Sequence, residues 1–242
     1  MPKFFFAQEN KRSNNIEIHG STAHHIVNVL RYKIGDEVLL CDGNCVDYVT
    51  KLVSYETRKC STIARFEALE VKKSMTEPPI FIRLFQSVIK WENFDFAVQK
   101  SVEVGVGEIV PIITNRSIYK LSDTKKKIER LNRIAKSAAE QSERGVLPKI
   151  AEPISLDAHL KSKDAVSLFA CCEEKISITQ RLDNLNPEEV EIWIGPEGGF
   201  TDSEREMLML KEIIPFSLGP RVLRSETAGI VSIANLLMLY RR

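Results

Sequence analysis

A surplus of charge of either sign is missing from this sequence: 34 lysines and arginines stand against 33 aspartates and glutamates, a formal net charge of +1. That balance excludes a polycation that coats nucleic acid through a global field, so any such contact must come from local basic patches. Cysteine is sparse and its pattern unpaired. Cys41, Cys45, Cys60, Cys171 and Cys172 form an odd set with no CxxC pair, which excludes a disulfide framework or zinc-like spacing and indicates a reducing compartment. HExxH is absent, and with it the metalloprotease helix. No apolar stretch reaches the ~20 residues of a membrane span; the longest, Ala228 to Tyr240, falls short. The opening MPKFFFAQENKR meets charge too soon for a signal peptide. A cytoplasmic protein without metal or membrane is the expectation.

What is present is enough apolar material for a substantial core, with 43% hydrophobic and 28% charged residues over 242 positions. One or two domains follow from that length. Residues 1–75 read as short strands: Phe4 to Phe6, Ile16 to Ile18, Glu37 to Leu40, Tyr48 to Val53 and Ile63 to Val71 are β-rich, with Gly20, Gly35 and Asp42-Gly43 as turns. Thr22 to Tyr32 reads as a helix with Thr22 as N-cap. These elements predict a small β-barrel. Met75-Thr76-Glu77-Pro78-Pro79 marks the domain boundary, because two prolines bar both helix and central strand. Over residues 80–242 the rhythm changes. Strands at Ile80 to Ser87, Ile109 to Ile113, Val166 to Ala170, Ile192 to Ile194 and Ile213 to Ser217 alternate with helices at Phe94 to Val104, Lys125 to Ser142, from Asp202 and from about Glu226. That alternation predicts an α/β domain with a mainly parallel sheet.

The most informative stretch is Ile194-Gly195-Pro196-Glu197-Gly198-Gly199-Phe200, an apolar strand running into a glycine turn. Glycine admits positive φ and close approach of a ligand. Thr201-Asp202-Ser203-Glu204 then matches a capping box. No Gly-Lys-Ser/Thr follows and the spacing is not GxGxxG, so a phosphate ligand is disfavoured. A plain strand-to-helix turn explains this loop alone equally well. A second corner weakens that simpler reading. Leu218-Gly219-Pro220-Arg221-Val222-Leu223-Arg224 follows a short strand and leads to Ser225-Glu226-Thr227-Ala228, with Ser225 as N-cap. Neighbouring strands of a parallel sheet would bring both loops to the edge where ligands bind.

These two segments resemble the paired signatures of the bacterial 16S ribosomal RNA uracil-N3-methyltransferases, a family of the SPOUT superfamily. The resemblance extends along the chain. His25-Ile26, Val29-Leu30-Arg31 and Gly35-Asp36 are similar to the family's PUA-like N-terminal domain. Gln99-Lys100 to Gly105-Val106 resembles its "QK-x-x-ELGV" helix end, with Val104 in place of the usual leucine. Pro111 to Ser117 resembles its "ERS" turn, with Asn115 where glutamate is common. Ala139-Glu140-Gln141-Ser142, Arg144 and Leu147-Pro148 resemble its "AxEQxxR…P" segment. The resemblance implies an N-terminal PUA-like β-barrel, a SPOUT domain with a trefoil knot, S-adenosylmethionine as methyl donor, a uridine of the decoding region of 16S rRNA or the 30S subunit as target, and a homodimer.

The donor pocket then falls to Ile194, Gly195, Pro196, Glu197, Gly198 and Gly199 in the first loop. In the second it falls to Leu218, Gly219, Arg221, Leu223, Arg224, Thr227 and Ala228. Methyl transfer from a sulfonium is mostly a positioning task. Uracil N3 is protonated at neutral pH, so a base and an anion stabiliser are needed. Arg224 is assigned to the developing charge, and Glu226 or Glu197 to the proton; Glu226 equally suits a first-turn acid at a helix N-terminus. Lys3, Arg12, Arg31, Lys90, Arg116 and Arg144 are the expected phosphate contacts. His24-His25 read as packing rather than ligation. The last helix, apolar on most faces, suits core or a dimer interface. Two other readings stay open: a non-catalytic RNA-binding protein and a SPOUT enzyme acting on a different RNA.

Overall fold

The computed structural model describes residues 2–58, 61–117, 124–158 and 164–240. Its first unit comprises Met1–Glu77 with Ala139–Leu147, and its second Pro78–Ala138 with Pro148–Arg242. The stretch Ala139–Leu147, read from sequence as part of the second domain, therefore belongs to the first unit.

In the first unit the strands are β1 (Lys3–Phe5), β2 (Lys11–Arg12), β3 (Asn15–His19), β4 (Glu37–Cys41), β5 (Val46–Arg58) and β6 (Ser61–Lys73). They form one sheet in the order β1-β4-β5-β6-β3-β2. Only the β1–β4 pair is parallel. Inward residues at period two, such as Ile16 and Ile18 or Val38 and Leu40, share one apolar cluster with Phe4, Leu52 and Phe66. The sheet wraps around that cluster, helped by register shifts in the β5–β6 hairpin that add local bend and twist. A helix α1 (Gly20–His24) begins two residues before Thr22 and runs into a π-helical turn at His25–Val29. Thr22 is thus inside the helix and not its cap; the cap position is His19, which makes no side-chain capping bond.

The second unit holds β7 (Phe81–Ser87), β8 (Glu108–Ile113), β9 (Lys149–Ile150), β10 (Ile154–Ser155), β11 (Val166–Ala170), β12 (Glu189–Ile194) and β13 (Ile214–Phe216). All seven strands pair in parallel, in the order β10-β8-β7-β12-β11-β13 with β9 beside β8. Both faces of a parallel sheet must be covered. Its helices are α2 (Trp91–Val104), α3 (Thr124–Gln141), whose last residues from Ala139 belong to the first unit, α4 (Ile178–Arg181), α5 (Asp202–Leu210) and α6 (Ser225–Leu239). On one face α6 packs against α2, α4, β7 and β12. On the other, Leu208 of α5 joins Phe85, Phe169 and Trp193 in the core, with the Phe85 and Trp193 rings stacked at 3.9 Å. Among the described residues no helix is long and apolar enough to cross a membrane.

The candidate donor crevice

Strand order decides where the chemistry sits. Because β11 lies between β12 and β13, the segments leaving the C-terminal ends of all three strands meet at one sheet edge. This is the edge at which open parallel sheets hold ligands.

The first segment, after β12, is a closed turn. Gly199 N–H donates to Pro196 O at 2.8 Å. A Cβ on Gly195 would lie 3.1 Å from Phe200 N and 3.2 Å from Gly199 backbone atoms, so a side chain there would press on the turn's own backbone. The capping box read from sequence is formed: Thr201 Oγ1 accepts Glu204 N–H at 3.3 Å, and Glu204 Oε2 accepts Thr201 N–H at 2.7 Å. The other oxygen of this buried carboxylate accepts Asn115 N–H at 2.7 Å. That bond draws the segment after β8 to the start of α5. From there Arg116 donates to the Gly198 carbonyl, and a Cβ on Gly198 would meet Arg116 Cδ at 3.2 Å.

The second segment, after β13, passes Ser217, whose Oγ accepts Gly219 N–H at 3.2 Å. Gly219 adopts φ +98° with open space where a Cβ would be. Arg224, not Ser225, is the N-cap of α6, and it caps without a side-chain bond. Ser225 occupies the first helical position, and its hydroxyl instead donates to Gly195 O at 2.6 Å. The start of α6 is thereby bonded to the first glycine loop.

Between the loops lies a crevice of about 440 Å³ bordered by Arg116, Glu197, Gly198, Gly199 and Val222. A smaller recess continues it, lined by Leu218, Gly219, Arg221, Leu223 and Ala228. Both share Ala170, Cys171 and Cys172 as floor. Sequence reasoning missed this floor, although the C-terminal end of any strand in such a sheet is a signal worth testing.

Other predicted site residues lie off the crevice lining. Ile194 and Pro196 are buried, Gly195 and Thr227 are half-buried, and none of the four lines the crevice. Arg224 is exposed at the start of α6. Glu226 is 7% exposed, with Oε2 buried and unbonded among the described residues, so it does not present a base to the crevice.

The expected RNA contacts also divide. Lys3 is 2% exposed and binds Asp47 Oδ2 at 2.9 Å and Ser74 Oγ at 3.2 Å. Arg144 is 3% exposed and bonded to Glu77. Neither can reach a phosphate, and both readings are corrected: a buried cation is held by its carboxylate partner. Arg116 serves the glycine loop. Lys90 is exposed and lies 3.1 Å from Glu92. Arg12 and Arg31 are exposed, and Arg12 borders a cavity of about 520 Å³ in the first unit. His24 and His25 are exposed, with His25 set edge-on to the Phe4 ring at 5.9 Å.

A parallel sheet with a glycine-walled crevice at its carboxyl edge matches a known class. The family model described as RNA methyltransferase domain covers residues 76–237, and that described as RNA methyltransferase PUA domain covers residues 18–57. The ribosomal RNA small subunit methyltransferase E of Bacillus subtilis is 31% identical over 237 residues, which is 94% of this chain and 91% of that protein. The solved structure of the Neisseria gonorrhoeae methyltransferase of the same name, bound to S-adenosyl methionine, superposes with a TM-score of 0.88 at 28% identity, covering 99% of this chain and 98% of its own. A Legionella pneumophila structure described as a putative methyltransferase with bound SAM gives 0.86 at 30% identity, covering 97% and 96%. This chain belongs to the ribosomal RNA small subunit methyltransferase E family.

Proposed function

We propose that this protein transfers the methyl group of S-adenosylmethionine to N3 of a uridine in the decoding region of 16S rRNA, acting in the cytoplasm as a homodimer. The observation that carries the donor assignment is the crevice itself. Its ~440 Å³ lies within the 300–1,000 Å³ usual for small-molecule sites. Glu173, Glu197 and Asp202 border it, and its Arg205 is already paired with Glu173 at 2.6 Å and with Asp202. With Arg116 also on the wall, the lining carries three carboxylates to two guanidinium groups, a slight acidic excess that suits a cationic sulfonium better than a phosphate. Two relatives that match nearly the whole chain hold this donor.

When bound, the donor supplies an electrophilic methyl group for in-line displacement. The chain's own residues hold and orient. The apolar recess of Leu218, Leu223 and Ala228 and the glycine backbones of the two loops would hold the donor. Glu197, exposed on the crevice wall, accepts the N3 proton. Arg224 and the N-terminal end of α6 stabilise charge developing on the uracil oxygens.

Mass mapping of 16S rRNA nucleosides from cells with and without this protein tests the target. One 3-methyluridine is expected to depend on the protein. Intact 16S modification in its absence, with a methylated uridine lost from another RNA, would replace the target.

The homodimer rests on α6. Its stripe of Ile230, Val231 and Ala234 is only half-buried, and Met238 is 63% exposed. An apolar stripe left open to this degree suits a symmetric partner. Sedimentation at micromolar concentration is expected to give twice the chain mass; a monomer there contradicts the dimer. The trefoil knot belongs to the same proposal.

A further inference from the structure

Gln86 is fully buried at the C-terminal end of β7, in register with Ile194 on one side and Pro111 on the other. Its Nε2 lies 2.8 Å from Ser225 Oγ, which lies 2.6 Å from Gly195 O. The proton order in this chain is forced. A carbonyl only accepts and a serine hydroxyl carries one proton, so Ser225 donates to Gly195 and Gln86 must donate to Ser225. The amide is thereby oriented with Oε1 away from Ser225. That oxygen is buried and has no hydrogen-bond partner among the described residues. It faces Gly229 of α6, where a Cβ would come within 2.9 Å.

A strand end that needed only bulk would carry leucine, which has no carbonyl to desolvate. Here a polar side chain is kept at the cost of an unbonded oxygen, and a glycine is placed opposite to make room for it. We propose that Gln86 is a positioning residue for the donor crevice: acting through Ser225, it fixes the Gly195 carbonyl and so the spacing between the two glycine loops. The role of that spacing rests on the donor reading above. The relay itself does not.

Gln86→Glu is the sharpest probe, because it keeps the shape and removes the donor. At about pH 9 the carboxylate forces Ser225 to turn its proton toward residue 86 and to release Gly195. At about pH 6 a carboxylic acid, its pKa raised by burial, donates as the amide does. In the donor-free protein, amide exchange in Gly198–Phe200 and Leu218–Arg224 is expected to speed about tenfold over wild type at the higher pH and to approach wild type at the lower. The S-adenosylmethionine Kd from calorimetry is expected to rise about tenfold at the higher pH and to recover at the lower. A purely structural defect, the desolvation cost of the buried carboxylate, would speed exchange in the neighbouring strands β8 and β12 as much as in the two loops, and that result also overturns the proposal. Exchange unchanged at both pH values, or raised equally at both, overturns the proposal. Should the Gln86 variant fail to fold, Ser225→Ala removes the same link by taking away a single hydroxyl, and unaltered loop exchange in it is equally decisive. A wild-type protein that gives no heat with S-adenosylmethionine sinks the donor reading alone, and the exchange result still judges the relay.

Discussion

Arg224→Ala is expected to lower kcat by about 10²–10³ while the S-adenosylmethionine Kd stays within twofold of wild type, the cost of removing one preorganised group aimed at developing charge. The split follows from placement. Arg224 lies outside both parts of the crevice lining, so little donor contact is lost with it. It is exposed at the N-cap of α6, where its guanidinium adds to the positive end of a 15-residue helix. Single-turnover kinetics on 16S rRNA with calorimetry alongside checks both halves. A variant with a near-normal rate removes Arg224 from the chemistry. A variant that loses donor affinity in proportion reassigns it to binding.

Glu77→Ala is expected to destabilise the first unit by about 3–5 kcal/mol, the range for breaking a buried ion pair from one side. One carboxylate organises a whole turn. Glu77 Oε1 accepts Gly145 N–H at 2.8 Å, Val146 N–H at 3.1 Å and Arg144 Nε at 3.2 Å, while Oε2 accepts Arg144 Nη2. Truncation leaves the Arg144 charge buried and two backbone donors without their acceptor. The turn it holds is built against the first unit: Cys45 N–H donates to Gly145 O at 2.9 Å, and Gly145 has no room for a Cβ beside Ser74. Both tryptophans, Trp91 and Trp193, belong to the second unit, so their fluorescence is blind to this change. Hydrogen exchange at β4 and β5 during urea titration is the appropriate measure. A shift below about 1 kcal/mol would mean that the cluster is a surface pair of ordinary worth.

Met75 to Pro79 illustrates how far the sequence could be read. Its two prolines marked a break between strand-rich and alternating regions, and both regions have the elements expected of them. What proline content could not reveal is that Glu77, inside the break, anchors a segment 67 residues further on. The donor crevice divides in the same way. The glycines, the capping box at Thr201 and Glu204 and the strand preceding them are local features, legible because their geometry depends on residues three or four apart. The floor at Ala170 to Cys172 was missed, since nothing in those residues states that β11 pairs between β12 and β13.

The sequence by itself determined the element types, the parallel character of the larger sheet and the two glycine corners, because backbone preference and apolar period act over a few residues. Only the tertiary structure decided which polar groups face water and which face each other. Lys3, Arg144, Glu226 and Ser225 each looked available for RNA, catalysis or capping, yet each is buried, and all but Glu226 are bonded to partners far away in the chain. The physical reason is desolvation: a buried charge or hydroxyl is tolerable when a partner is brought to it, and the partner's arrival is a property of the fold rather than of the neighbouring residues.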